Sequence, residues 1–267
     1  MRIALAQVVA GSDPVENLSL IARETRRAAA DGAELVVFPE AVMCRFAGPS
    51  LAGVAEPLDG PWADEVRRIA REESVTIVVG MFTPSTTPGR VRNTLLVAGA
   101  ADAYYDKIHL YDAFGYRESD AVEPGDRPVT FDLNGVRIGV ATCYDVRFPE
   151  LFRALAEEGA DLVLVAASWG SGPGKREHWE LLTRARALDT TTVVVAVGQA
   201  DPLTIGRDDG AGAPTGIGFS GVVAADGTDV VRLSDAPETL VVDVAGPLAA
   251  VPRVRAALPV LANGHRL

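Results

Sequence analysis

Two stretches of this chain are echoed later in it. Arg2-Ile3-Ala4-Leu5-Ala6 resembles Arg137-Ile138-Gly139-Val140-Ala141, and Asp31-Gly32-Ala33-Glu34-Leu35-Val36 resembles Glu158-Gly159-Ala160-Asp161-Leu162-Val163. Each pair frames a helical segment, so strand–helix–strand occurs twice. Two such units can bury their apolar strands by packing sheet against sheet with the helices outside. The pattern predicts an α/β protein, a four-layer α-β-β-α sandwich with two pseudo-symmetric halves. Two unrelated β-α-β units of ordinary apolar strands would also look alike, and the sequence leaves that alternative open.

The elements follow from periodicity and punctuation. Ile3 to Val9 reads as a buried strand. Asp13 as N-cap, Pro14 at N1 and Glu16 at N3 start a helix that runs to about Ala30. Glu34 to Phe38 is a strand ending at Pro39-Glu40, Pro61 to Glu73 a helix, and Val75 to Met81 a strand. Asn93 to Ala98 and Ala103 to Tyr105 are further strands, and Phe131 to Ile138 is a hairpin around Asn134-Gly135. A helix from Pro149 to Glu158 follows Cys143. Then come the strand Asp161 to Ala167, the helix Lys175 to Leu188 and the strand Thr191 to Val197. Two strands around Asp226-Gly227 and a last strand, Thr239 to Val244, complete the series. Pro202 to Gly216, with four glycines, two prolines and no periodicity, is a loop. Residues 1–267 are expected to form one domain, the segment after about 245 being an extension or a tail that contacts a second copy.

Composition narrows the function. The chain is 48% hydrophobic, enough for a large core, and carries a net charge of −11. Such acidity argues against nucleic acid, which needs a basic face. It leaves room for an anionic small molecule, since one or two arginines suffice. No apolar run approaches membrane-spanning length, and the N-terminal apolar stretch is too short for a signal peptide. The two cysteines, Cys44 and Cys143, would permit a bridge in a secreted domain, but a cytoplasmic protein is the natural expectation.

Cys143 lies between an apolar strand and a helix start. A thiol there meets backbone N–H groups and a helix dipole, which favour a thiolate and a developing oxyanion. Glu40 also ends a strand, and could take a thiol proton if an enclosed pocket raised its pKa. Lys107 follows the strand at Tyr105, where a fixed ammonium could stabilise an oxyanion. Singly, each has an ordinary reading: an apolar filler, a helix cap and a solvated lysine. The case rests on all three occupying strand ends. His109, His178 and His265 are scattered without ligand spacing, so no metal is indicated. Gly170 to Lys175 is one residue short of a P-loop. Gly216 to Gly221 fits G-x-G-x-x-G but precedes a strand, so a dinucleotide site is not indicated. Cys44 reads as a bystander thiol.

Three motifs, Glu34-Leu35-Val36-Val37-Phe38-Pro39-Glu40, Tyr105-Asp106-Lys107-Ile108-His109-Leu110 and Cys143-Tyr144-Asp145-Val146-Arg147-Phe148-Pro149-Glu150-Leu151, together resemble the nitrilase superfamily of carbon–nitrogen hydrolases. The resemblance extends from Ile3 to about Val244. It implies a cofactor-independent thiol amidohydrolase with Glu40 as base and acid, Cys143 as nucleophile, and Lys107 as oxyanion stabiliser aided by the Tyr144 N–H. A second, substrate-positioning glutamate falls on Glu118, with Glu123 as competitor. The resemblance also implies a homodimer or higher homo-oligomer.

Tyr144-Asp145 after the cysteine resembles the amidase branch that includes ω-amidases and deaminated-glutathione amidases. That implies a small carboxamide substrate, with ammonia and an acid as products. Arg147 would hold a substrate carboxylate; a helix-start ion pair is its alternative. Trp169 and Lys175 are pocket candidates, set against a core tryptophan and a solvated lysine. The loop 169–175, Asp189-Thr190 and Phe219 depart from the family pattern around the pocket. An N-carbamoyl compound, a nitrile, and a catalytically silent binding subunit of the same fold are the alternatives.

Overall fold

The computed structural model describes residues 1–46, 48, 50–208 and 213–265. The first half comprises β1 (Arg2–Gln7), α1 (Pro14–Ala30), β2 (Leu35–Val37), a one-turn α2 (Leu51–Val54), α3 (Pro61–Glu73), β3 (Thr76–Pro84), β4 (Val91–Ala98) and β5 (Ala103–Asp106). A small hairpin, β6 (Asp112–Ala113) and β7 (Tyr116–Arg117), links it to the second half. There follow β8 (Thr130–Leu133), β9 (Val136–Thr142), α4 (Pro149–Glu157), β10 (Leu162–Ala167), α5 (Lys175–Thr190), β11 (Val193–Gly198), β12 (Gly221–Val223) and β13 (Asp229–Arg232). The chain closes with β14 (Glu238–Asp243) and α6 (Ala245–Ala257).

The strands form two six-stranded sheets, ordered β14-β1-β2-β3-β4-β5 and β8-β9-β10-β11-β12-β13. They match position by position. In each, three central strands are parallel, one antiparallel strand lies on one side, and antiparallel strands follow on the other. The repeated sequences occupy equivalent places, at β1 and β9 and at the entries to β2 and β10. Shared architecture therefore accounts for the echo better than chance. The match is permuted at one point: β8 immediately precedes β9, whereas its counterpart β14 comes from the end of the chain.

Alternation along the strands sets the layers. Ile3, Leu5, Leu35, Val37 and Val78 join Phe131, Ile138 and Val140 in the core between the sheets. The intervening residues Ala4, Ala6, Val36, Ile77 and Val79 pack on Ile21 of α1 and on Trp62, Val66 and Ile69 of α3. On the opposite outer face Gly139 of β9 lets α4 approach closely: a Cβ there would meet Leu155 side-chain atoms at 3.0 Å. The four-layer expectation thus holds. Among the described residues, no helix is long and apolar enough to cross a membrane.

Local punctuation acts as the residues dictate. The Asp13 carboxylate accepts from the Val15 N–H (2.8 Å) at the start of α1. Asn134 and Gly135 take positive φ (50° and 78°), as a tight hairpin turn requires. The β6–β7 hairpin was not expected, because its turn, Phe114-Gly115 at φ 54° and 81°, puts a phenylalanine in a left-handed position. The expected loop 202–216 begins with a 3₁₀ turn, Pro202–Ile205, capped by Asp201; its residues 209–212 lie outside the described residues. The segment after 245 is a helix on the molecule's own second half. Val251 is buried, and Arg255 pairs with Asp161 (2.6 Å) and donates to the Ala160 carbonyl.

Truncating the fully buried Leu155 to Ala should leave a void between α4 and β9 and cost roughly 2–4 kcal/mol of stability. A lowered denaturant midpoint with an unchanged slope would show it; an unaltered midpoint would mean this contact is dispensable.

Candidate active site

Glu40, Lys107 and Cys143 meet at one edge of the sandwich. Glu40 follows β2 in a turn where Ala41 takes φ 58°. The turn lies along β3: Gly80 N–H donates to the Pro39 carbonyl and Met43 N–H to the Gly80 carbonyl. A Cβ on Gly80 would fall 2.4 Å from the Ala41 nitrogen, so glycine is required there. From the other sheet, Gln199 at the end of β11 donates through Nε2 to the Glu40 carbonyl (3.0 Å). Lys107 follows β5, its N–H bonded to the Asn93 carbonyl of β4. Cys143 heads a 3₁₀ turn, Cys143–Arg147, after β9 and takes φ 49°. Left-handed backbone is uncommon for a non-glycine residue and often marks functional turns.

One buried carboxylate ties the cysteine turn to the lysine loop. Asp145 accepts from Thr142 N–H (2.8 Å) and Tyr105 O–H (2.7 Å) through one oxygen, and from His109 N–H (3.0 Å) through the other. His109 Nδ1 lies 2.7 Å from that second oxygen, and the ring stacks on Phe148 with centroids 3.7 Å apart.

The charged centre is buried and compensated. Lys107 Nζ donates to Glu40 Oε1 (2.9 Å) and Glu118 Oε2 (2.7 Å), and all three side chains are at most 2% exposed. Asn93 Nδ2 bridges the two carboxylates, at 2.7 Å to Glu40 and 2.9 Å to Glu118. Ser168 N–H takes Glu40 Oε2 (2.7 Å), and Tyr111 N–H takes Glu118 Oε2 (2.7 Å). Burial opposes the Lys107 charge, but the Glu118 and Glu40 carboxylates more than offset it and hold the ammonium well above its usual pKa. Burial, reinforced by the Glu118 charge, lifts Glu40 above its ordinary value despite Lys107.

The thiol corrects one expectation. Burial first, and then the Glu40 charge, push Cys143 well above an ordinary thiol. α4 begins only after the intervening 3₁₀ turn, so its dipole does not govern the site. These surroundings favour the protonated thiol of Cys143 over the thiolate.

Glu40, Lys107, Glu118 and Cys143 line one pocket, walled further by Phe46, Tyr111, Ser168, Trp169, Gly170, Lys175 and Pro214. The second glutamate in the cluster is Glu118. Glu123 instead binds Thr87 (2.7 Å) and Arg92 at the β3–β4 turn. Trp169 and Lys175 line the pocket, and the Trp169 indole N–H donates to the Lys175 carbonyl (2.9 Å). Arg147 is not a lining residue. Its guanidinium lies 5.4 Å from the Trp169 ring centroid, with Nη2 3.2 Å from His178 Nδ1. No acidic side chain among the described residues pairs with it. The Tyr144 ring packs edge-on against Tyr111, and its N–H lies in the first turn of the 3₁₀ segment, where backbone donors lack partners within the helix. Cys44 is buried apart from the pocket, near the Ser12 carbonyl. Among the described residues no acidic, histidine or cysteine cluster is arranged to hold a metal ion.

The carbon-nitrogen hydrolase family model matches residues 2–253. The chain belongs to this family. A Mycobacterium tuberculosis relative, named only as a hydrolase, is 54% identical over 251 residues, covering 91% of this chain and 89% of that protein. The deaminated glutathione amidase of Escherichia coli O157:H7 is 35% identical over 268 residues, covering 98% and 97%. A glutamate-to-glutamine mutant of the amidase from Nesterenkonia sp. AN1 superimposes with a TM-score of 0.79 at 30% identity, over 96% of this chain and 94% of that one. Its structure carries the acetamide moiety of fluoroacetamide added covalently at the active site cysteine. Other Nesterenkonia amidase structures on the same fold are assigned to the nitrilase superfamily. This carbon–nitrogen hydrolase therefore has amidase-type relatives on both counts.

The sequence assigned no role to Asn93, Ser168 and Gln199, and it marked Asp145 only as part of the cysteine motif, not as the carboxylate that ties two loops together. Asn93 left a trace, a buried amide within the apolar strand Val91–Ala98, which demands a polar partner. Ser168 and Gln199 act through a backbone N–H and a cross-sheet contact, for which the sequence has no signature.

Gly80→Ala should displace the Glu40 turn and lower kcat/KM at least 100-fold while the protein stays folded; retained activity with an unshifted turn would contradict the packing argument. Asn93→Ala should lower kcat/KM by roughly 10- to 100-fold, since both buried carboxylates lose a charge-assisted hydrogen bond.

Proposed function

We propose that this chain hydrolyses the C–N bond of a small carboxamide through a thioester on Cys143, releasing ammonia and a carboxylic acid without a cofactor. The observation that carries this reading is the convergence of a thiol, a carboxylate of raised pKa and a fixed ammonium in one enclosed pocket. Glu40 takes the thiol proton as Sγ attacks the amide carbon. The negative charge that develops on the carbonyl oxygen meets the Lys107 ammonium and the Tyr144 N–H. The intermediate collapses as Glu40 returns its proton to the leaving nitrogen, and ammonia departs. Glu40 then takes a proton from water, which attacks the thioester; the acid leaves and the thiol is regenerated.

Glu118 and Asn93 hold Lys107 and Glu40 in place. Trp169 and Lys175 bound the substrate, and Arg147 acts through the Trp169 ring. The covalent adduct on the Nesterenkonia amidase and the amidase names among the relatives support the reaction class. The fully assembled charged cluster weighs against a silent binding subunit.

An ammonia-release panel of short carboxamides, N-carbamoyl amino acids and nitriles, read together with intact protein mass, tests this. A substrate amide should give ammonia and an acyl adduct mapping to Cys143. Cys143→Ala should abolish both, and Glu40→Gln should lower kcat by roughly 1,000-fold or more. Full ammonia release by Cys143→Ala would rule the proposal out. The reaction needs the Glu40 carboxylate, and burial lifts its pKa. The acid limb of kcat/KM should therefore fall at a higher pH than an exposed glutamate would dictate.

A further inference from the structure

The chain has 25 basic residues, lysine and arginine together, and only two of them are lysines, Lys107 and Lys175. Both are buried, and both line the same pocket. Everywhere else the cation is the planar, forked guanidinium; here it is a compact ammonium with three donors.

The two lysines are treated differently. Lys107 has two carboxylates. Lys175 has none among the described residues: its Nζ donates to the Tyr111 hydroxyl (2.8 Å) and otherwise meets ring faces. It lies 4.0 Å from the Phe114 centroid, 5.0 Å from Tyr111 and 5.9 Å from Trp169. Aromatic faces attract a cation but do not neutralise it, and a lysine only 7% exposed with no anion beside it is costly. Phe114, 77% exposed at the tip of the β6–β7 hairpin, is otherwise an unexplained apolar surface residue. Its left-handed backbone holds it over this ammonium.

We propose that Lys175 is the receptor for a substrate carboxylate, so that the pocket takes a carboxamide whose other end is an acid. Lys107 serves the reacting end and Lys175 the far end, and the anion that the protein omits at Lys175 arrives with the substrate. Arg147, stacked on the outside of this arrangement through Trp169, supports the wall and does not grip the ligand. The kinetic part of this inference rests on the amide-hydrolase reading; the binding part does not.

With two lysines, protein labelled with [13Cε]lysine gives two lysine side-chain NMR signals, and a Lys175→Met variant identifies which is which. Glutarate should shift the Lys175 signal saturably, while neutral glutaramide at the same concentration should leave it in place. In kinetics, the ratio of kcat/KM for the monoamide of glutaric acid to that for pentanamide should fall roughly 10- to 100-fold in Lys175→Met, chiefly through KM, as expected for one lost charge-assisted hydrogen bond. An unmoved Lys175 signal under glutarate, an equal response to glutaramide, or an unchanged ratio in the variant would overturn the assignment. If wild type cleaves no amide yet its Lys175 signal still responds to glutarate alone, the hydrolase reading fails and the carboxylate site stands.

Discussion

Everything at the working edge of this molecule is organised around the buried Lys107 ammonium. Removing a charge from water is expensive, and the fold offsets that cost with two carboxylates at hydrogen-bond distance. Two carboxylates so close repel each other, and Asn93 relieves this by donating to both. The cluster is therefore one electrostatic unit, in which changing any member alters the protonation of the others. Burial, together with the Glu118 charge, keeps the Glu40 pKa elevated even beside a lysine.

The backbone makes a second contribution. Cys143 and Ala41, the residue after Glu40, both occupy left-handed conformations, and the Glu40 turn is tied by backbone hydrogen bonds to β3. Asp145 joins the cysteine turn to the lysine loop through a single buried carboxylate. Preorganisation of this kind resides in short-range geometry between elements far apart in sequence.

Much of this was legible in advance because each part leaves a local trace. Parallel strands buried on both faces read as apolar runs, and Asp13-Pro14 or Asn134-Gly135 act through their own chemistry. Glu40, Lys107 and Cys143 stood out because polar groups ending apolar strands need a reason. What was not legible depends on contacts across the interface between halves. Gln199 reaches Glu40 from the other sheet, Ser168 contributes only a backbone N–H, and the left-handed Phe114 is tolerated where a turn would normally call for asparagine or glycine. The thiol's elevated pKa was likewise invisible, because burial is a property of the assembled layers.

The permuted strand order has a consequence for how the molecule comes into being. The second sheet's central strands and both flanks are contiguous in the chain, so that half can assemble from one stretch of sequence. The first cannot. β1 precedes the other strands in the chain, but its antiparallel neighbour β14 follows all of them. Until β14 arrives, β1 presents an open edge of unpaired backbone groups. The Glu40 side of the candidate site thus depends on β14, and β1 cannot be fully paired until synthesis has passed that strand.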